Sequence, residues 1–136
     1  MEEKSYHCIY MAKPIYGGWV TFTSHLSMGF NLPIYKPSKR SENQIRKFGY
    51  GTTYQNLTIE SIIKMEHLLI TAIDKHYYEY LEYFPENTMI VIHDPTELSG
   101  KNNKLIEYLD KFQVITIRES VQEYLKEKFK KDSIFL

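Results

Sequence analysis

Three short pairs in the sequence consist of residue types that could bind or activate a substrate. They are Gly17-Gly18, His93-Asp94 and Arg118-Glu119. Adjacent glycines leave the backbone open to a ligand, and a helix that begins there favours an anion such as phosphate. An aspartate can accept a proton from a hydroxyl group, and a neighbouring histidine can share or orient that proton. An arginine can hold an anionic group, and a glutamate beside it can bind hydroxyls.

Each pair also has a structural interpretation that the sequence leaves open. The two glycines can form a tight turn without a ligand, since the full GxGxxG fingerprint and the P-loop lysine motif are both absent. Asp94 can cap the turn that begins at Pro95, with His93 partly buried beside it. Arg118 and Glu119 can form a plain salt bridge.

The remaining candidates for chemistry are weaker. The histidines at positions 25, 67 and 76 have no ligand-like spacing, and the sequence contains no CxxC or HExxH motif, so we expect no metal site. Cys8 lies in an apolar run without an evident base, which predicts a core residue rather than a nucleophile. A single cysteine excludes an internal disulfide and favours a reduced cytoplasmic setting.

The three pairs lie at or after the ends of strands predicted at residues 6–11, 88–94 and 113–117. Gly17-Gly18 closes the loop after the first strand, His93-Asp94 ends the second, and Arg118-Glu119 follows the third. Strands and helices alternate along the chain, which predicts an α/β fold. We expect a single domain over residues 1–136, a Rossmann-like three-layer sandwich with a mostly parallel central sheet. Ligands of such sheets bind beyond the carboxyl ends of the strands, where the strand order reverses. The pairs are therefore expected at one edge of the sheet.

Hydrophobic spacing and turn residues predict the other elements. Predicted helices run from Trp19 to near Gly29, from Ile59 to Met65 with Thr58 as its cap, from Asp74 to Phe84, from Lys104 to Lys111, and from the capping residue Ser120 to Lys130. Further predicted strands lie at residues 34–35, 67–73 and 133–136, with a strand or hairpin at 46–57 and an exposed loop at 37–44.

Composition limits the classes of partner. The chain has 136 residues, 43% hydrophobic and 25% charged, and its 17 basic residues balance 17 acidic ones. It therefore carries no strong signal for nucleic-acid or anionic-membrane binding. The basic tract at 126–131 is expected to be the solvated end of a helix. The N-terminus is too polar for a signal peptide, and no apolar run is long enough for a membrane span.

Three segments together resemble the N-terminal, acceptor-side domain of GT-B fold glycosyltransferases, including the DNA α-glucosyltransferases of phages and related retaining enzymes. The segments are CIYMAKPIYGGWVTFTSHL, TMIVIHDPTEL and QVITIRESVQEYLKEKF. The resemblance covers nearly the whole chain and implies a first strand near the centre of the sheet. It also implies that Gly17 and Gly18 line a cleft, and that Asp94, assisted by His93, is the general base.

The resemblance further implies transfer of a sugar from a nucleotide sugar to an acceptor hydroxyl, with no metal or other cofactor. The second, donor-binding domain of that family has no counterpart in this sequence, so we expect a partner domain or subunit, or a homo-oligomer. Twelve tyrosines are compatible with such a contact surface. The lysine, isoleucine and tyrosine bias is typical of an AT-rich genome and is compatible with a viral protein in a host cytoplasm.

The alternative is a non-catalytic Rossmann-like module that binds a nucleotide or a protein. A flavodoxin-like or response-regulator-like domain is a third hypothesis. The paired acidic residues that a response regulator carries after its first strand are missing.

Overall fold

Strands and helices alternate along the chain in a computed structural model that describes residues 6–13, 17–38, 45–86, 88–99 and 103–135. The strands in these ranges are β1 His7–Met11, β2 Ile34–Lys36, β3 Arg46–Gly49, β4 Thr52–Asn56, β5 Leu68–Ile73, β6 Met89–Ile92, β7 Gln113–Thr116 and β8 Ile134–Phe135. The α-helices in the same ranges are α1 Gly18–Phe30, α2 Ile59–Lys64, α3 Lys104–Glu107 and α4 Glu119–Phe129, and two 3₁₀ helices span Lys75–Tyr83 and Pro95–Leu98.

All eight strands belong to one sheet in the order β3-β4-β2-β1-β5-β6-β7-β8. Neighbouring strands are parallel except β3 and β4, which form an antiparallel hairpin. The chain leaves β1 towards β2 on one side and later returns to β5 on the other side. The strand order therefore reverses between β1 and β5, the position where α/β sheets of this type bind ligands. The predicted α/β fold with a mostly parallel sheet is confirmed.

Side chains that alternate along β1 enter different cores, as the period of two in a strand requires. Ile9 and Met11 belong to the larger core, and Cys8 and Tyr10 belong to a second core with Val20 of α1. The larger core also takes buried residues from the helices on its face, namely Ile62, Leu81, Leu105, Val121 and Leu125. Helices thus cover both faces of the sheet, which is the three-layer arrangement expected from the sequence.

A β-bulge in β5 interrupts the pairing with β1 at Thr71. Ile9 pairs with Ile70, and the next residue of β1, Tyr10, pairs with Ala72. The pairing of β5 with β6 joins Leu69 and Ile70 to Met89 and Ile90. The Thr71 hydroxyl donates to the Ile9 carbonyl at 3.3 Å and accepts from the Thr23 hydroxyl of α1 at 2.8 Å. A bulge changes the direction of local backbone groups, and here it leaves the Thr71 carbonyl facing β6.

Three helices differ from their predicted form. The helix predicted from Lys104 to Lys111 ends at Glu107, and residues 108–111 form turns. The segment predicted as an α-helix from Asp74 to Phe84 is a 3₁₀ helix, in which residues three apart lie on one side. Tyr78, Leu81 and Phe84 have this spacing and pack into the larger core. Helix α4 is capped by Arg118, which makes no side-chain capping bond, so the prediction that Ser120 caps this helix is wrong. Ser120 lies within the first turn of α4.

Local signals placed several other boundaries correctly. The Thr58 side chain caps α2 by accepting from the Ser61 amide at 3.1 Å. Residues 46–57 form the hairpin that was one of the two predicted alternatives. The predicted exposed loop at 37–44 lies mostly outside the described residues. None of the described helices is both long enough and apolar enough to cross a membrane.

Candidate functional site

The carboxyl edge of the sheet brings together residues from the three pairs singled out in the sequence. Gly17 is the N-cap of α1, the His93-Asp94 pair follows β6, and Arg118 lies two residues after β7. The imidazole ring of His93 lies 6.0 Å from the indole of Trp19 and 5.1 Å from the ring of Phe22, measured between centroids. The first two turns of α1 therefore pack beside the end of β6.

The two glycines are exposed, and their backbone geometry does not require glycine. Gly17 has φ 172° and ψ −175°, an extended conformation that any residue adopts. A Cβ atom added at Gly18 would meet no heavy atom within 4 Å. Gly17 has no side chain to cap the helix, and the first turn contains no acidic residue. Among the described residues, this helix N-terminus therefore has neither a side-chain cap nor an acidic group in its first turn, and such an end favours an anion.

His93 is buried, with 7% of its surface exposed, between α1 and the bulge of β5. Its Nε2 lies 2.6 Å from the Thr71 carbonyl oxygen. A carbonyl can only accept, so Nε2 carries the proton and Nδ1 is the nitrogen left to take another. Burial lowers the pKa of His93, and the charge of Arg118 lowers it further, although the bond to Thr71 opposes both effects. At neutral pH His93 is therefore a neutral side chain with a fixed tautomer.

Asp94 caps the 3₁₀ helix Pro95–Leu98, as one of the two sequence interpretations required. Its Oδ1 accepts hydrogen bonds from the amide and the hydroxyl of Thr96, at 2.9 and 2.8 Å. Its Oδ2 lies 3.8 Å from Nη1 of Arg118, and both side chains are exposed. The bonds from Thr96, with a smaller effect from Arg118, lower the pKa of Asp94. The carboxylate is ionised at neutral pH, and Oδ2 faces solvent and the guanidinium.

The interpretation of the sequence did not include Glu97, whose side chain lies on the buried side of the His93-Asp94 turn. Its Oε2 accepts hydrogen bonds from the backbone amides of His93 and Asp94, at 2.7 and 2.6 Å, while its buried Oε1 has no hydrogen-bond partner among the described residues. The bonds complete a capping box with Asp94. The spacing of Asp94 and Glu97, with Pro95 between them, is the signal that could have identified this residue.

The two residues of the third pair, Arg118 and Glu119, have different surroundings. Arg118 forms an ion pair with Asp94, which follows the neighbouring strand β6, and no ion pair with Glu119 is found among the described residues. Glu119 is exposed and is the first residue of α4. A guanidinium beside a carboxylate at an exposed edge can hold an anionic or hydroxyl-bearing ligand next to a proton acceptor.

Cys8 and His67, two of the other candidate residues, lie in the core and at the opposite edge of the sheet, respectively. Cys8 is buried, and burial raises the pKa of its thiol to about 12, so it is not a nucleophile. His67 lies at the amino end of β5, where its ring packs at 5.4 Å from that of Tyr6. Within the described ranges, no three histidine, cysteine or acidic side chains are grouped so that they could hold a metal ion.

Comparisons with known proteins add no relationship. No protein-family model matches the chain, and no curated protein or solved structure gives a significant match.

The buried state of His93 makes stability depend on pH. Because its folded pKa is lowered, the unfolded chain takes up a proton first as the pH falls below the ordinary value of about 6.5. We expect the contribution of His93 to the free energy of unfolding to fall as the pH falls through that range. The buried carboxyl of Glu97, whose pKa is raised to about 7, contributes with the opposite sign. The test is therefore the difference between the two proteins, in which the wild type should lose stability relative to His93→Gln as the pH falls. Urea unfolding at pH 5, 6, 7 and 8 measures this difference. His25→Gln, at an exposed position of α1, is the control and should follow the wild-type pH dependence; a wild-type dependence in His93→Gln would refute the assignment.

Proposed function

We propose that this chain is the acceptor-side domain or subunit of a glycosyltransferase that moves a sugar from a nucleotide sugar to an acceptor hydroxyl. The observation that carries the proposal is the position of Asp94 and Arg118 at the carboxyl edge of the sheet. The carboxylate and the guanidinium lie 3.8 Å apart, at the same edge of the sheet as the N-terminus of α1. The edge thus offers a proton acceptor, Asp94, and two groups that favour a negatively charged ligand, the Arg118 guanidinium and the N-terminus of α1.

In this proposal Asp94 takes the proton from the acceptor hydroxyl through its exposed Oδ2. The neutral His93 fixes the end of β6 from the buried side, through Nε2 and the Thr71 carbonyl. Gly17 and Gly18 leave space for the donor phosphate or the acceptor at the end of α1. Arg118 holds an anionic part of the substrates and Glu119 a hydroxyl. A partner domain, partner subunit or second copy supplies the rest of the donor site.

The second candidate is a non-catalytic Rossmann-like module that binds a nucleotide or a protein. The observation that favours it is the structural role of Asp94. Two hydrogen bonds to Thr96 and the ion pair with Arg118 keep the pKa of its carboxyl group low, which weakens it as a base. Such a module would use the same edge of the sheet for binding without proton transfer.

The two candidates differ in the fate of the donor. The chain is incubated with UDP-, GDP- and ADP-sugars and with hydroxyl acceptors, alone and with the proteins that co-purify with it. Release of the nucleoside diphosphate and sugar-labelled acceptor are measured. Transfer that depends on Asp94 supports the transferase. Nucleotide binding in calorimetry with no release in either preparation supports the binding module instead.

A further inference from the structure

Glu97 lies at the carboxyl edge of the sheet, and the proposed function does not explain the hydrogen bonds that its carboxylate accepts. One carboxylate oxygen accepts from two consecutive amides at 2.7 and 2.6 Å, and the other is buried with no partner in the part of the chain that the structure describes. A simple capping box needs one such bond, from the amide of the capping residue. The additional bond to the His93 amide connects Glu97 to the last buried residue after β6.

The surroundings of this carboxyl group favour its neutral form. Burial raises the pKa of Glu97 to about 7, the two amide bonds oppose the rise, and the neighbouring charge of Asp94 adds to it. Tyr78 faces Glu97 from the 3₁₀ helix Lys75–Tyr83, and its own pKa is raised by burial and by Glu97. The Arg118 guanidinium pairs with the Asp94 carboxylate of the same turn.

We propose that Glu97 is a positioning residue for Asp94. The Glu97 carboxyl group holds the His93-Asp94 turn, and its protonation sets the charge beside that turn. The inference rests on the proposed function only where it assigns Asp94 the role of base. The hydrogen-bond geometry of the turn is independent of any reaction.

The two protonation states of Glu97 act differently on Asp94. Ionised Glu97 makes both amide bonds charge-assisted, which tightens the turn, and it places a second negative charge beside Asp94. That charge makes Asp94 a stronger proton acceptor. Protonated Glu97 holds the same amides through neutral bonds and removes the charge. Because the pKa of Asp94 is lowered, Asp94 itself stays ionised while Glu97 titrates.

The first experiment follows the amide resonances of His93 and Asp94 by NMR in the full chain between pH 5 and pH 9. We expect both resonances to shift together with a midpoint near pH 7. Glu97→Gln keeps a carbonyl acceptor but cannot ionise, so this step should vanish while the His93 ring still titrates at lower pH. Glu97→Ala removes the acceptor, and exchange of the two amides with solvent should become about 10-fold faster or more.

The control is Glu107→Gln at an exposed position of α3, which should leave both resonances and both exchange rates at wild-type values. A shift near pH 7 that persists in Glu97→Gln, or is missing from the wild type, overturns the inference. If the edge transfers sugar, the rate should also rise through the same midpoint and lose that rise in Glu97→Gln. If no donor is consumed, the proposed function fails, and the NMR titration still decides the role of Glu97.

Discussion

Replacing Asp94 by asparagine is expected to reduce sugar transfer by about 100-fold or more, the range typical for the loss of a general base. Asparagine caps helices as well as aspartate does, so its side-chain oxygen can still accept from the Thr96 amide. The turn that holds position 94 should therefore remain in place. The loss would come from the missing negative charge on Oδ2, since an amide oxygen does not take up a proton at neutral pH.

Two measurements separate this chemical effect from a structural one. Urea unfolding should give nearly the same midpoint for Asp94→Asn as for the wild type. Asp110→Asn, at an exposed position after α3, should transfer at the wild-type rate. If Asp94→Asn transfers at a rate close to that of the wild type, Asp94 is a capping residue only, and the binding module becomes the better description.

Larger side chains at Gly18 are expected to block the edge without disturbing the fold. No heavy atom lies within 4 Å of a Cβ atom added there, and α-helical positions favour alanine over glycine by up to about 1 kcal/mol. Gly18→Ala should thus leave the free energy of unfolding unchanged or raise it. Gly18→Leu should fold as well but lower transfer or nucleotide binding by about 10-fold or more, because its side chain fills the space that a substrate would occupy.

Gly29 provides a matched control in the same helix. It also has open space at its Cβ position, but it lies near the far end of α1. Gly29→Ala and Gly29→Leu should change stability in the same way as the Gly18 variants and leave binding and transfer unchanged. Calorimetry with nucleotide sugars and thermal unfolding of all four variants provide the comparison. Equal activity in the Gly18 and Gly29 series would show that the opening at Gly18 is not used.

The sequence predicted the fold well because its signals are local and repeated. Short β-branched runs such as residues 89–92 and the cap at Thr58 depend on neighbouring residues alone. Such signals could not distinguish α from 3₁₀ geometry for residues 75–83, because both forms suit the same apolar spacing. In the 3₁₀ form Tyr78, Leu81 and Phe84 lie on one side and pack into the larger core.

The candidate site was predicted in part. Parallel strands end at the same edge, so the sequence predicted that the His93-Asp94 pair and Arg118 lie at one edge of the sheet. Their close approach depends on β6 and β7 being neighbours, which the structure shows. The bond between His93 and Thr71 could not be predicted, since it depends on a bulge that no local pattern marks. Glu97 was visible as part of a capping box, but its second amide bond and its burial depend on tertiary packing.

The bulge at Thr71 has a mechanical consequence for the sheet. At the amino ends, β5 and β6 are joined by a backbone ladder that runs through Leu69–Met89 and Ile70–Ile90. Beyond that point a side chain also joins them, through the bond between the His93 imidazole and the Thr71 carbonyl at 2.6 Å. The same ring packs against Trp19 and Phe22 of α1. Separation of the carboxyl ends of β5 and β6 would therefore have to break this bond and pull the ring away from α1.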